Sequence, residues 1–153
     1  MRTILFRGIT KDDTTRHFFA DIWKDNCKGS FVYGSLIIDK GRYYICVSAL
    51  CTINSCINNG MTSMIEVIPE TVGQYTGKTD KNGKNIFEGD IVYCKSRLDN
   101  AIMVVIFECG QFRMVLSENY RSYQTNSGFY DINCFDKEVI GNIHDNGELL
   151  KGE

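Results

Sequence analysis

The only proline of the chain, Pro69, stands in a stretch where apolar runs and turn-forming residues alternate at short intervals, and this stretch limits the fold more than any other. From Ile65 it reads IEVIPETVGQYTGKTDKNGKNIFEGDIV. Met64 to Ile68 has the β-branched and apolar composition of a strand. Proline has no backbone N–H, so that strand ends at Pro69 or lies on a sheet edge. Asp80-Lys81-Asn82-Gly83 then sets an Asn-Gly pair between two short runs, Gly73 to Gly77 and Lys84 to Phe87, and predicts a tight hairpin turn with positive φ angles. Glu88-Gly89-Asp90 predicts a further reversal before Ile91-Val92-Tyr93-Cys94, so three strands follow one another closely.

The N-terminal part reads as a strand from Arg2 to Phe6, a short helix near Asp13 to Lys24, and a hairpin from Phe31–Ile38 into Arg42–Ser48 with Asp39-Lys40-Gly41 as its turn. In the return strand Tyr43, Ile45 and Val47 point one way and Tyr44, Cys46 and Ser48 the other, as in a half-buried strand. Ala49 to Thr62 reads as a long loop or short helix and marks a soft boundary. The expected division is an N-terminal β region over 1–62, with an inserted segment at 9–30, and a second region over 63–153. No internal repeat interrupts either part.

The C-terminal part has the rhythm of a small barrel. Ile91–Lys95, Ala101–Phe107 and Gln111–Leu116 are short runs separated by Ser96–Asn100 and Glu108-Cys109-Gly110, which predicts consecutive antiparallel pairing with Phe112, Met114 and Leu116 facing the core. Ala101 to Phe107 is apolar throughout, so both its faces should be covered, the outer one by another element or a second subunit. Arg121–Ser127 reads as an exposed loop before strands at Phe129–Phe135 and Glu138–Ile143, the last ended by His144-Asp145-Asn146-Gly147.

The run IEVIPETVGQYTGKTDKNGKNIFEGDIV resembles the central motif of the YopX-like phage protein family, and Glu138-Val139-Ile140-Gly141-Asn142-Ile143 with Glu148-Leu149-Leu150 resembles its C-terminal motif. Phe6-Arg7-Gly8 and Val32-Tyr33-Gly34-Ser35-Leu36 resemble its N-terminal pattern. Two departures are the length of Ile9 to Ser30 and Phe31 in place of an expected Trp. The resemblance implies a phage or prophage protein with a small SH3-like β-barrel in its C-terminal part and no established biochemical activity. With the residue patterns it gives a mainly β fold: an N-terminal β-hairpin region, a C-terminal SH3-like barrel and little helix.

Composition narrows the function classes. With 43% hydrophobic and 24% charged residues the chain is an ordinary globular one, and a formal net charge of −2 supplies no broad attraction for a polyanion. The run Thr3-Ile4-Leu5-Phe6 is too short for a membrane span or signal segment, so a bacterial host cytoplasm is the expected location and no membrane the expectation. Seven cysteines, odd in number and singly placed, read as reduced and mostly buried small apolar side chains. Cys46, Cys51 and Cys56 recur every five residues, but structural zinc draws on closely paired ligands, and no metal or other cofactor is expected. His17 and His144 lie far apart and read as solvated surface residues.

Chemical motifs fail on spacing. Gly73 to Thr79 ends like a phosphate-binding loop but has three residues between its glycines where the motif has four, and Gly77 to Asn85 misses the other way and ends in Asn. Asp80-Lys81-Asn82-Gly83 meets its glycine too early for a calcium loop, and Ser35 lacks a nucleophile elbow. Glu88 and Asp90 form a possible carboxylate pair for acid–base work, set against a simpler role in shaping their turn. Tyr33, Arg42, Tyr43 and Tyr44 share one hairpin and form the expected interaction surface, set against ordinary cross-strand packing. The expectation is a non-enzymatic phage accessory protein that binds itself or a phage or host protein. The alternative is a small barrel that binds single-stranded nucleic acid.

Overall fold

In the computed structural model the described residues are 3–11, 29–47, 63–95, 100–117, 120, 129–134 and 136–150. The expected helix at Asp13–Lys24, the segment Ala49–Thr62 and the loop Arg121–Ser127 fall outside them. Among the described residues the fold is mainly β, with two short 3-10 turns at Pro69–Thr71 and Gly147–Leu150. The chain divides into two compact units, Thr3–Gln74 and Tyr75–Glu153. The sequence-based division stands at 62/63; the strand that begins at Ser63 pairs within the first unit.

The first unit contains β1 (Phe6–Ile9), β2 (Phe31–Asp39), β3 (Arg42–Val47) and β4 (Ser63–Val67), antiparallel in the order β4-β3-β2-β1. The first strand lies further along the chain than Arg2–Phe6. Arg7, Gly8 and Ile9 pair with Tyr33, Val32 and Phe31, whereas Ile4 is 65% exposed and has no core to enter. The predicted hairpin forms with a two-residue turn: Asp39 and Arg42 face each other, and Lys40 and Gly41 take φ of 47° and 79°, which suits the right-handed twist of the strands. Along β2 the partner changes from β1 to β3 at Gly34, where a Cβ would overlap the Cys46 carbonyl oxygen. At Gly8 a Cβ would lie 2.9 Å from the Val67 side chain. These two glycines of the N-terminal pattern therefore serve close packing.

Val32, Ile45 and Val67 form the core here, with Phe6, Leu36, Tyr43 and Ile65 packed on it. β4 ends before Pro69, as proline requires. The end of β1 and the residues after it meet the end of β4: Thr10 bridges Val67, Lys11 N–H donates to the Glu66 carbonyl at 3.1 Å and Ile68 N–H to the Ile9 carbonyl at 2.9 Å. Thr71 Oγ1 locks this seam, accepting from Ile9 N–H at 2.8 Å and donating to the Ile68 carbonyl at 2.7 Å. β5 (Gly73–Thr79) starts in this unit by pairing Gly73 and Gln74 with Arg7 and Phe6.

In the second unit β5 continues and pairs with β6 (Asn85–Phe87) through Tyr75–Phe87 and Thr79–Asn85. Their connection is a five-residue loop, Asp80 to Lys84, and not the tight Asn-Gly turn the sequence suggested; of that pair only Gly83 takes a positive φ, 82°. The reason is Asp80. It is only 7% exposed, its Oδ1 accepts from Asn82 N–H at 2.8 Å and Lys84 N–H at 2.9 Å, and its Oδ2 accepts from Val139 N–H at 3.1 Å. An Asx-type turn thus replaces the backbone-only hairpin.

The remaining strands, β7 (Asp90–Lys95), β8 (Ala101–Glu108), β9 (Gln111–Leu116), β10 (Phe129–Asp131) and β11 (Asp136–Asn142), form an antiparallel sheet in the order β10-β9-β8-β7-β11. β7, β8 and β9 pair consecutively as expected. Among the described residues β10 and β11 do not pair with each other, so the sheet stays open and no closed barrel forms. β10 is shorter than Phe129–Phe135 because Asp131 Oδ1 turns the chain by accepting from Asn133 N–H at 2.7 Å. The sheet is buried on both faces: Met103, Val105, Phe112 and Met114 belong to one cluster, and Ile91, Val104, Ile106 and Val115 to another. The second cluster is covered by Ile143, Leu149 and Leu150. The apolar run of β8 is therefore satisfied by this chain's own C-terminal turn, and it gives no reason to place a second subunit there.

Candidate functional site

Paired residues on neighbouring strands share a face, so the register of the first unit sorts the four residues of the expected interaction surface. Ile37, Tyr44 and Glu66 form one cross-strand row, and Ser35, Cys46 and Met64 the next. Arg42 belongs to the same face, two residues before Tyr44, and so does Tyr33, which pairs with Arg7 on the other half of β2. Tyr43 is on the opposite face, between Ile38 and Val67, and packs on the core. The structure thus brings Arg42 and Tyr44 together, leaves Tyr33 apart on their face, and assigns Tyr43 largely to packing.

The outward face is mixed. Tyr33 is 47% exposed, Ile37 38% and Met64 56%. Hydrogen bonding to the Tyr44 hydroxyl, the proximity of that group, and the Glu66 carboxylate hold the Arg42 guanidinium above its ordinary value. Glu66 also meets Lys11, Nζ to Oε1 at 3.2 Å. Arg7 shares this face as the partner of Tyr33 but is itself buried, with its guanidinium 4.5 Å from the centre of the Phe31 ring, a cation–π arrangement. Sequence reasoning missed Ile37, Met64, Glu66 and Lys11. The adjacent Ile37 and Ile38 break the strict alternation of a one-faced strand and were a readable signal; Met64 and Glu66 join the face only through the β3–β4 register.

Glu88 and Asp90 have a different setting. Asp90 is 1% exposed and its Oδ2 accepts from Phe87 N–H at 2.8 Å, while Glu88 is half-buried. Gly89, with φ of 80°, donates its N–H to the Val105 carbonyl and accepts from Ile143 N–H, both at 2.9 Å. The turn anchors the entry to β7 between β8 and the C-terminal segment. The near-miss phosphate loop, Gly73 to Thr79, is the extended strand β5 and presents no helix N-terminus.

Among the described residues no group of three or more His, Cys, Asp or Glu side chains is arranged to hold a metal. Cys51 and Cys56 of the five-residue repeat, and His17, lie outside the described residues. Of the described cysteines Cys94 is buried, its thiol pushed up to about 11 by burial, Cys46 is half-buried, and Cys109 and Cys134 are exposed. The expectation that most are buried holds poorly for this set, because Cys109 and Cys134 stand in turns. Among the described residues no helix is long and apolar enough to cross a membrane.

No curated protein matches the chain. A solved structure described as the crystal structure of protein EF1440 from Enterococcus faecalis is similar to it at 20% identity and a TM-score of 0.48, over 99% of this chain and 100% of that one. The sequence model of the YopX protein family matches residues 22–151, and the chain belongs to that family.

Proposed function

We propose that the protein is a non-enzymatic interaction module, a phage or prophage accessory protein of the host cytoplasm, whose outward sheet face in the first unit binds a second copy of itself or a phage or host protein. The observation that carries this reading is the outward row Ile37-Tyr44-Glu66, in which Ile37 is exposed and Tyr44 and Glu66 are half-buried, with exposed Tyr33, Met64 and Arg42 around it. Tyr, Met and Arg are enriched in protein interfaces, where rigid or adaptable apolar surface is combined with a fixed donor. The open five-stranded sheet of the second unit is consistent, under the same reading, with a strongly curled SH3-like arrangement that serves as scaffold.

Single-stranded nucleic acid is the weaker fit. Glu66 and Asp39 lie near Arg42, so this face lacks the broad run of positive charge that supplies affinity for a polyanion along its length. Size-exclusion chromatography with light scattering tests the self-association arm. Wild type is expected to associate in the micromolar range and Ile37→Glu to remain monomeric; a strictly monomeric wild type removes self-association, and salt-dependent oligonucleotide binding reverses the ranking.

A further inference from the structure

A surface cavity of about 280 Å³ opens in the first unit where the end of β1, the β2–β3 turn and the residues following β4 meet. Its wall carries two cations and one anion, Lys11, Arg42 and Glu66, together with the apolar surface of Tyr43, Val67 and Pro69. Lys11 is committed to Glu66, through its ammonium at 3.2 Å from Oε1 and its backbone N–H at 3.1 Å from the carbonyl. Arg42 supplies the remaining positive charge. Its guanidinium bonds to the Tyr44 hydroxyl, which steadies the head group while occupying only part of a five-donor fork. Asp39 faces Arg42 across the hairpin but is outside the cavity wall, and it acts on Arg42 less than Glu66 does.

Size and chemistry restrict the occupant. Pockets for drug-sized ligands and cofactors run from about 300 to 1,000 Å³, so this cavity is at the lower limit and suits one side chain. A carboxylate matches a guanidinium fork in geometry and charge, and a short methylene stem matches the tyrosine and proline surface beside it. We propose that this cavity is a recognition pocket for a single acidic side chain, glutamate or aspartate, presented by the protein partner. The proposal rests on the protein-interaction reading above and adds the chemistry of what is recognised.

The test is an amide-resolved NMR titration of the full chain with the blocked peptide Leu-Glu-Leu and its Leu-Gln-Leu twin. The Glu peptide is expected to shift the Gly41, Arg42 and Glu66 amides saturably, and the Gln twin to bind about tenfold more weakly. Arg42→Gln, at an exposed position, is expected to weaken Glu-peptide binding by about tenfold while the rest of the spectrum is unchanged. Lys11→Gln, which leaves Glu66 to draw on Arg42 alone, is expected to weaken it as well and serves if the first variant fails to fold. Absence of a saturable shift up to millimolar peptide, equal binding of the Gln twin, or indifference to both substitutions overturns the proposal. Equal shifts from acetate or inorganic phosphate also overturn it, since the site would then take any small anion. Self-association that Ile37→Glu leaves unchanged, with the peptide response intact, refutes only the interface; self-association lost in Ile37→Glu, with no peptide response in wild type, refutes only the pocket.

Discussion

The two units bury their apolar residues in different ways. In the second, the sheet is covered on both faces, and among the described residues its large exposed apolar side chains are Phe107 and Ile140. In the first, one face carries a core of Val32, Ile45 and Val67, and Tyr33, Ile37, Ile38 and Met64 remain exposed. Among the described residues the larger share of buried apolar side chains, and with burial proportional to apolar area the larger hydrophobic contribution, lies in the second unit. The described residues of the first leave more apolar surface outward, which is where the proposed binding face lies.

The largest effects should come from the two-sided core. Ile91→Ala and Met114→Ala, on opposite clusters, should each cost about 2–5 kcal/mol in urea unfolding, and Ile45→Ala in the smaller core of the first unit should fall at the low end of that range. Equal losses at Ile45 and Ile91 would erase the contrast. Next, Gly34→Ala should cost about 1–3 kcal/mol, since the added methyl must displace a backbone carbonyl and not a flexible side chain.

Asp80→Asn should cost a similar amount, about 1–3 kcal/mol, because an amide nitrogen cannot replace a carboxylate oxygen as acceptor for a buried N–H. Its pH dependence has a defined sign. Desolvation pushes the Asp80 carboxyl up, but the N–H groups of Val139, Lys84 and Asn82 together outweigh it and hold the group below its ordinary value. With the folded value lowered, this contribution is complete above the ordinary carboxylate value near 3.8 and is lost as pH falls through the folded one. The wild-type minus Asp80→Asn stability difference should therefore shrink only on acidification below about pH 4. A constant difference down to pH 2 would assign the effect to packing instead of charge.

Smaller effects compare the units position by position. Lys40 and Cys109 occupy equivalent left-handed positions, φ 47° and 50°, each before a glycine in a hairpin turn. Lys40→Asn and Cys109→Asn should each stabilise by up to about 1 kcal/mol, because Asn tolerates this conformation better. A gain at only one would show that the two turns are not under the same strain. Smallest for folding is Ile37→Glu, within about 0.5 kcal/mol, although it should abolish self-association.

Much of the strand pattern was legible because alternation and turn chemistry are local. The hairpin Phe31–Ile38 to Arg42–Ser48 and the run Gln111–Leu116 correspond to observed strands, since a two-residue turn and a single glycine reversal leave little freedom of register. The Asn-Gly turn misled because Asp80, a residue of the same loop, reaches Val139 on β11, a contact 59 positions away that no local window contains. Of the proposed interaction surface the aromatic cluster and Arg42 were visible in the sequence, but assigning Tyr43 inward and adding Met64 and Glu66 required pairing with β4.

By itself the sequence determined a β protein with closely spaced reversals, its strand end at Pro69 and its family, because proline, glycine and alternating side chains act through the nearest few bonds. Tertiary structure decided what those strands face. It covered the apolar β8 with Leu149 and Leu150, left Ile37 and Met64 outward, and placed Lys11 against Glu66, since partners distant in sequence are chosen by packing and register alone.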